Sequence, residues 1–192
     1  QYNSDGSENS AVTPAEYQGK ANGADIATIY DFAMPNHDVM TAYDSPIIFY
    51  SVAEAQFSLA EAITRGWASG SAQDAYEAGV RAACKHLVEY PRSTLITDAQ
   101  IDALLLEGTV AWDDANAMEL INTQKWLALL FDGFEAYSNF RRTGIPALTP
   151  GLTAGETGGA HPKRMRYPIS ENLTNRTNYD AAVSRLSGGD VI

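Results

Sequence analysis

Cysteine is nearly missing from this chain. Cys84 is the one thiol in 192 residues, so no internal disulfide can form and no cysteine-based zinc site can be built. Within the helical pattern around it, Cys84 reads as a small buried apolar residue. Basic residues are scarce as well: 13 Lys and Arg stand against 24 Asp and Glu, a net charge of -11. That balance opposes nucleic acid as a partner, because phosphate backbones need a basic surface, and it disfavours anionic membrane surfaces for the same reason. Neutral or cationic ligands are easier to hold on such a surface than polyanions. No apolar stretch reaches the roughly 18 residues needed to cross a bilayer, and the amino end has neither the basic segment nor the apolar core of a secretion signal.

The chemistry-bearing motifs are thin too. Histidine occurs at His37, His86 and His161; none follows a Glu by three residues, so the Glu-x-x-His di-metal signature is missing, as is zinc-protease spacing. Gly66, Gly70 and the run from Gly155 to Gly159 read as loop glycines, not as a phosphate loop, a dinucleotide fingerprint or a nucleophile elbow. No EF-hand loop is present. These patterns imply no catalytic residue, no metal site and no cofactor.

What the chain does have is helical periodicity with well-marked ends. After an extended Pro46 to Tyr50, Ser51-Val52-Ala53-Glu54 forms a capping-box signature. Phe57, Ala60 and Ile63 follow at helical spacing, with Gly66 placed as the C-cap. A second helix starts near Ser71, carries Tyr76, Val80, Ala83, Cys84 and Leu87 on one face, and is stopped by Pro91. Joined by a short Gly-Ser loop, the two must pack antiparallel. Thr97-Asp98-Ala99-Gln100 opens a third helix through Ile101, Leu104 and Leu105. Asp113-Asp114 favours another start through the helix dipole.

That last helix leads through Met118 and Ile121 into Trp126 to Phe131, where every residue is apolar. No face of such a run suits water, so it should lie buried among other helices and form the hub of the fold. Gly133 permits a break, and Thr143-Gly144 closes the next helix before Pro146. Asn178 to Leu186 reads as a last short helix. The fold expected is all-α, antiparallel helix pairs with long irregular loops at both ends: residues 1–44 irregular, 45–150 the helical core, 151–192 a loop-rich tail packed on that core, all in one domain.

Several residues are candidates for function. Glu54 and Glu61 lie seven apart on one helix face, as an acid/base pair or metal ligands would, or as a helix cap and an ion-paired carboxylate would. His86 reads as a surface side chain. Arg141 and Arg142 have the fork that suits internal carboxylates and helix-terminal carbonyls, and read as staples of the turn. The cluster His161 to Arg166 has a basic character suited to an anionic group or to the protein's own carboxylates. Asn172-Leu173-Thr174 and Asn175-Arg176-Thr177 satisfy the glycosylation pattern, which matters only in a eukaryotic secretory setting. Tyr30, Phe32 and Tyr43 sit on the leading loop and Trp67 just past a helix cap; such rings stack on sugars or anchor the loop.

Three segments carry a family resemblance: TQKWLALLFDGFEAYSNFRRTGIPAL, then HPKRMRYPISENLTNRTNYDAAV, and, before both, SVAEAQFSLAEAITRGW. Gln-Lys-Trp, Gly-x-Glu-Ala-aromatic, Arg-Arg-Thr-Gly-x-Pro and Arg-Tyr-Pro occur in the order that resembles the C-terminal half of the SusD/RagB-like nutrient-binding lipoproteins of Gram-negative outer membranes. The resemblance implies a tetratricopeptide-like fold fragment, although no clean repeat of fixed period occurs here. It also implies that this chain lacks an N-terminal part with its signal, lipidated cysteine and large helical region, and that this remainder of its own chain is one partner. The implied function is non-catalytic binding of a nutrient, an oligosaccharide above all, at the outer cell surface and delivery to a SusC-like TonB-dependent transporter. Tyr30, Tyr43 and Trp67 are the candidate ligand-binding residues. The alternatives are a helical protein-interaction scaffold without sugar binding and a glycoside hydrolase using Glu54 and Glu61.

Overall fold

The computed structural model of the protein describes residues 35–151 and 159–189, with Gly19, Phe32 and Ala33. Among the described residues all regular structure is helical, in seven α-helices and no strand. The chain divides into two compact units, Pro35–Leu148 and Gln1–Met34 with Thr149–Ile192.

In the first unit the caps lie where the local sequence puts them. Helix α1, Val52–Thr64, begins with Ser51 accepting the Glu54 N–H at 3.1 Å. It ends in a Schellman turn, in which Gly66 takes φ +74 and the Gly66 and Trp67 N–H groups donate to Ile63 O at 2.9 Å and Ala62 O at 2.8 Å. A residue with a Cβ would be strained at that angle, which is why glycine closes the helix. Helix α2, Ala72–His86, starts on Ser71, and α3, Asp98–Leu104, starts on a complete capping box between Thr97 and Gln100. At α1 only half of the box forms: the Ser51 side chain plays its part, while the Glu54 side chain makes no return bond to the Ser51 N–H and Glu54 lines a cavity. Helix α2 stops at His86, short of Pro91, and a 3-10 turn over Leu87–Glu89 fills the gap.

Helices α1 and α2 make the centre of the core. Phe57 and Tyr76 are both fully buried with ring centroids 6.1 Å apart, and Tyr76 meets Trp112 at 5.2 Å. The Tyr76 hydroxyl, buried with its ring, donates to Val110 O at 2.7 Å, so its polar end is satisfied. Gly79 lets the two helices approach: a Cβ there would come within 2.6 Å of the Phe57 ring. Gly79→Ala gains about 1 kcal/mol of helix propensity but forces overpacking worth about 1–3 kcal/mol. Urea denaturation should therefore show a net loss of about 1 kcal/mol, where an exposed helical glycine would show a gain.

Helix α4, Ala117–Ala128, packs on α1 and departs from the expected burial. Of the run Trp126 to Phe131, Leu129 is buried, but Leu127, Leu130 and Phe131 are each more than half exposed. The packed face is Ala117, Ile121 and Lys125 at i, i+4 and i+8, so Leu127 and Leu130 lie off it. The helix also ends inside the run, with Leu129 as C-cap and Phe131 at φ +74. The hub is thus the Phe57–Tyr76 contact with Ile121, not the apolar run. Helix α5, Gly133–Thr143, starts on the Asp132 side chain, as the break at Gly133 suggested, and ends at Gly144 with φ +73.

In the second unit, α6, Ile169–Thr174, was not anticipated; Tyr167-Pro168 reads as extended backbone, yet proline is well suited to stand just before a first turn. Helix α7, Arg176–Val183, overlaps the expected last helix, beginning two residues before Asn178 and ending three before Leu186. Arg164 lies over the Tyr167 ring at 4.9 Å, and Arg176 pairs with Asp180 at 2.9 Å.

Candidate functional site

A partly buried polar chain ties α5 to α1 and α4. Arg142 on α5 grips both oxygens of Glu61 on α1, the Nη2–Oε2 contact being 2.8 Å, and Arg65 Nε adds a second contact at 2.8 Å. Arg142 Nη2 also donates to Asn139 Oδ1 at 2.7 Å, Asn139 donates to Asn122 Oδ1 at 3.1 Å, and Asn122 donates to Met118 O at 3.0 Å. The hydrogen bond from Arg142 holds the Glu61 carboxyl below the usual carboxylate range, against the upward push of burial. Arg142 thus staples two helices through an internal carboxylate, one of the two partners expected for it. Arg141 remains exposed, with its guanidinium 6.0 Å from the Tyr137 ring.

Next to this frame, a cavity of about 250 Å³ lies between the start of α1, the end of α2 and the α4–α5 junction. Its lining includes Glu54, Cys84, His86, Tyr90 and Asp132, and Phe49 and Tyr50 stand exposed at its edge. Cys84 and His86 are both half-buried, so Cys84 is less enclosed and His86 less exposed than expected; burial pushes the Cys84 thiol up. Glu54 is only 8% exposed. Burial raises its pKa, Glu135 and Asp132 push the same way, and Lys125 opposes them.

Glu54 and Glu61 are therefore not a matched acid/base pair. Their backbones stand about 10 Å apart along the helix axis, and their surroundings differ. Glu61 is also held ionised by two arginines and has no proton to give. The raised pKa of Glu54 carries a stability consequence. Its folded state holds the proton more tightly than the unfolded chain, so its contribution turns unfavourable as pH rises above about 4.3. Glu54→Gln should raise stability by on the order of 1 kcal/mol at pH 7 and by nothing near pH 4, in paired denaturant titrations.

Two of the aromatic candidates are exposed to solvent. Tyr43 is fully exposed on the segment that Arg92 holds through Asp38 O at 2.6 Å and Asp44 at 3.0 Å. Trp67 is 74% exposed just past the C-terminal end of α1, with the Arg65 guanidinium 5.2 Å from its ring. Tyr30 lies outside the described residues. The cavity went unread in the sequence because its walls come from four separate stretches; the one available signal was a Glu at the third helical position whose capping role competes with burial.

Comparison with known proteins gives the class. Residues 1–168 match the SusD-like family described as starch-binding associating with outer membrane, and the chain belongs to that family. No curated protein matches it. Among solved structures it is similar to a chitin-binding protein at 42% identity and TM-score 0.61, covering 72% of this chain and 30% of that one. A Bacteroidetes SusD-like protein matches at 33% identity and TM-score 0.66, over 75% of this chain and 29% of that one. A chitin-binding SusD homolog from Flavobacterium johnsoniae matches at 32% identity and TM-score 0.56, over 72% and 34%. The chain thus spans about a third of the length of these relatives.

Proposed function

We propose that this chain is part of a non-catalytic glycan-binding protein of the outer cell surface, lipid-anchored in its full-length form, that passes ligand to a TonB-dependent transporter. The family match over residues 1–168 carries this reading. Chitin-type oligosaccharides are the first ligands to expect, since two of the similar structures are named as chitin-binding. Tyr43 and Trp67 offer exposed rings for sugar faces, Trp67 on a turn held by two backbone hydrogen bonds, and Tyr30 belongs to the same proposal. An acidic surface is no obstacle, because neutral sugars are held by aromatic faces and polar groups rather than by charge.

Calorimetry with chito- and malto-oligosaccharides tests this. Binding of the chitin series, weakened about tenfold by Trp67→Ala or Tyr43→Ala, is the expected result. Unchanged affinity in the alanine variants removes those residues from the site, and silence toward every neutral glycan removes the function. Co-purification of a barrel transporter with the full-length protein tests delivery.

A second reading concerns partners within the protein. The exposed rings of Phe131 and Phe134, which lie outside the cavity lining, support contact with the remainder of a family-length chain, because such apolar surface is costly to leave in water. Hydrogen exchange at the α4–α5 junction that slows when the longer protein is used would support it.

A further inference from the structure

The cavity beside α1 is walled chiefly by carbon, from Met40, Ile48, Leu87 and Leu129. Glu54 interrupts that wall. It is nine-tenths buried and lines the cavity, and among the described residues its carboxylate has no hydrogen bond or ion pair. The Ser51 hydroxyl next to it is occupied by the Glu54 backbone N–H at 3.1 Å. Lys125 is also buried, but its ammonium donates to Ser58 Oγ at 3.3 Å. Asp132 shares the cavity and carries a second negative charge, one of its oxygens engaged by the Glu135 N–H at 3.1 Å. The Glu54 oxygens keep contact with solvent through the cavity, and the Lys125 charge only partly offsets the burial of the group, so a cation entering the cavity with its own donors would replace that water and gain a charge-assisted contact.

We propose that this cavity is a binding site for a protonated amine or guanidinium on a short apolar body, with Glu54 as the counter-charge. Asp132 adds to the field, and Leu87 and Leu129 contact the body. The volume of about 250 Å³ falls below the roughly 300–1,000 Å³ of drug-sized sites, so the occupant is small. It is a free amine or the end of a lysine or arginine side chain. The site is separate from the exposed aromatics offered to glycans: it rewards positive charge, and they do not.

The test uses the 192-residue chain with 2-phenylethylamine, the isosteric 2-phenylethanol, and a capped peptide carrying one lysine, followed by calorimetry. The amine should bind about tenfold tighter than the alcohol, and Glu54→Gln, an isosteric change, should erase that difference. Cys84 gives a second readout, since it is the chain's one thiol and lines the cavity: bound amine should slow its alkylation in the parent chain and not in Glu54→Gln. Binding of the free amine assigns the site to small molecules, and binding of the peptide alone assigns it to a protein side chain; either supports the proposal. Equal affinity for amine and alcohol, no binding of any probe, or an amine preference that survives Glu54→Gln overturns it.

Discussion

Phe57→Ala should destabilise the helical unit by about 3–5 kcal/mol, the largest effect of any single change argued for this protein. The ring is fully buried, stands at 6.1 Å from Tyr76, and fills the space that Gly79 leaves open on α2. Truncation removes the transfer energy of the ring and leaves a hole that the close-packed helices cannot collapse into, so both penalties apply. Against a typical domain stability of about 5–15 kcal/mol, such a loss shifts a denaturation midpoint severely. Phe57→Leu, which keeps most of the volume, should cost clearly less. Equal costs for the two variants would show that the ring is not packed as described. Combined with Gly79→Ala, Phe57→Leu should also recover part of the glycine variant's loss, because the smaller side chain clears the atoms that the new methyl group meets.

Glu61→Gln is expected to cost about 2 kcal/mol at pH 7. Removing one partner of a buried ion pair costs about 3–5 kcal/mol when both groups are enclosed. Here Glu61 is 7% exposed but Arg142 is 46% exposed, so water screens the arginine and the lower figure follows. The pH dependence is the sharper measurement. The arginine holds the Glu61 pKa below its unfolded value, so its stabilisation is complete above about pH 4.3 and is lost as pH falls through the folded-state value. The difference between parent and Glu61→Gln should shrink at low pH. Glu54→Gln carries the opposite sign at pH 7, and that contrast between two carboxylates of one helix is hard to obtain from any general effect of charge removal. A double-mutant cycle with Arg142→Met should return a favourable coupling, reduced but not abolished by the second contact from Arg65 at 2.8 Å.

Much of the fold was legible locally. Ser51, Ser71 and Thr97 each accept the N–H three residues on, and Gly66 and Gly144 close their helices at positive φ. Helix α6 was missed because Pro168 signals extended backbone and a helix start alike. The candidate site was much less legible. Glu54 and Glu61 share a helix face and a burial class, yet one is gripped by two arginines and the other lines a cavity. Nothing within a few residues of either distinguishes them.

By itself, then, the sequence determined where helices begin and end, that the chain is all-α, and the order of motifs that marks its family. Those features rest on hydrogen bonds closing within three to five residues, or on residue order alone. Tertiary structure decided which face of α4 is buried, which glutamate is paired and where a cavity remains. Each of these depends on a partner far along the chain, as Arg142 is from Glu61, and burial is a property of what arrives on the other side rather than of the run that awaits it.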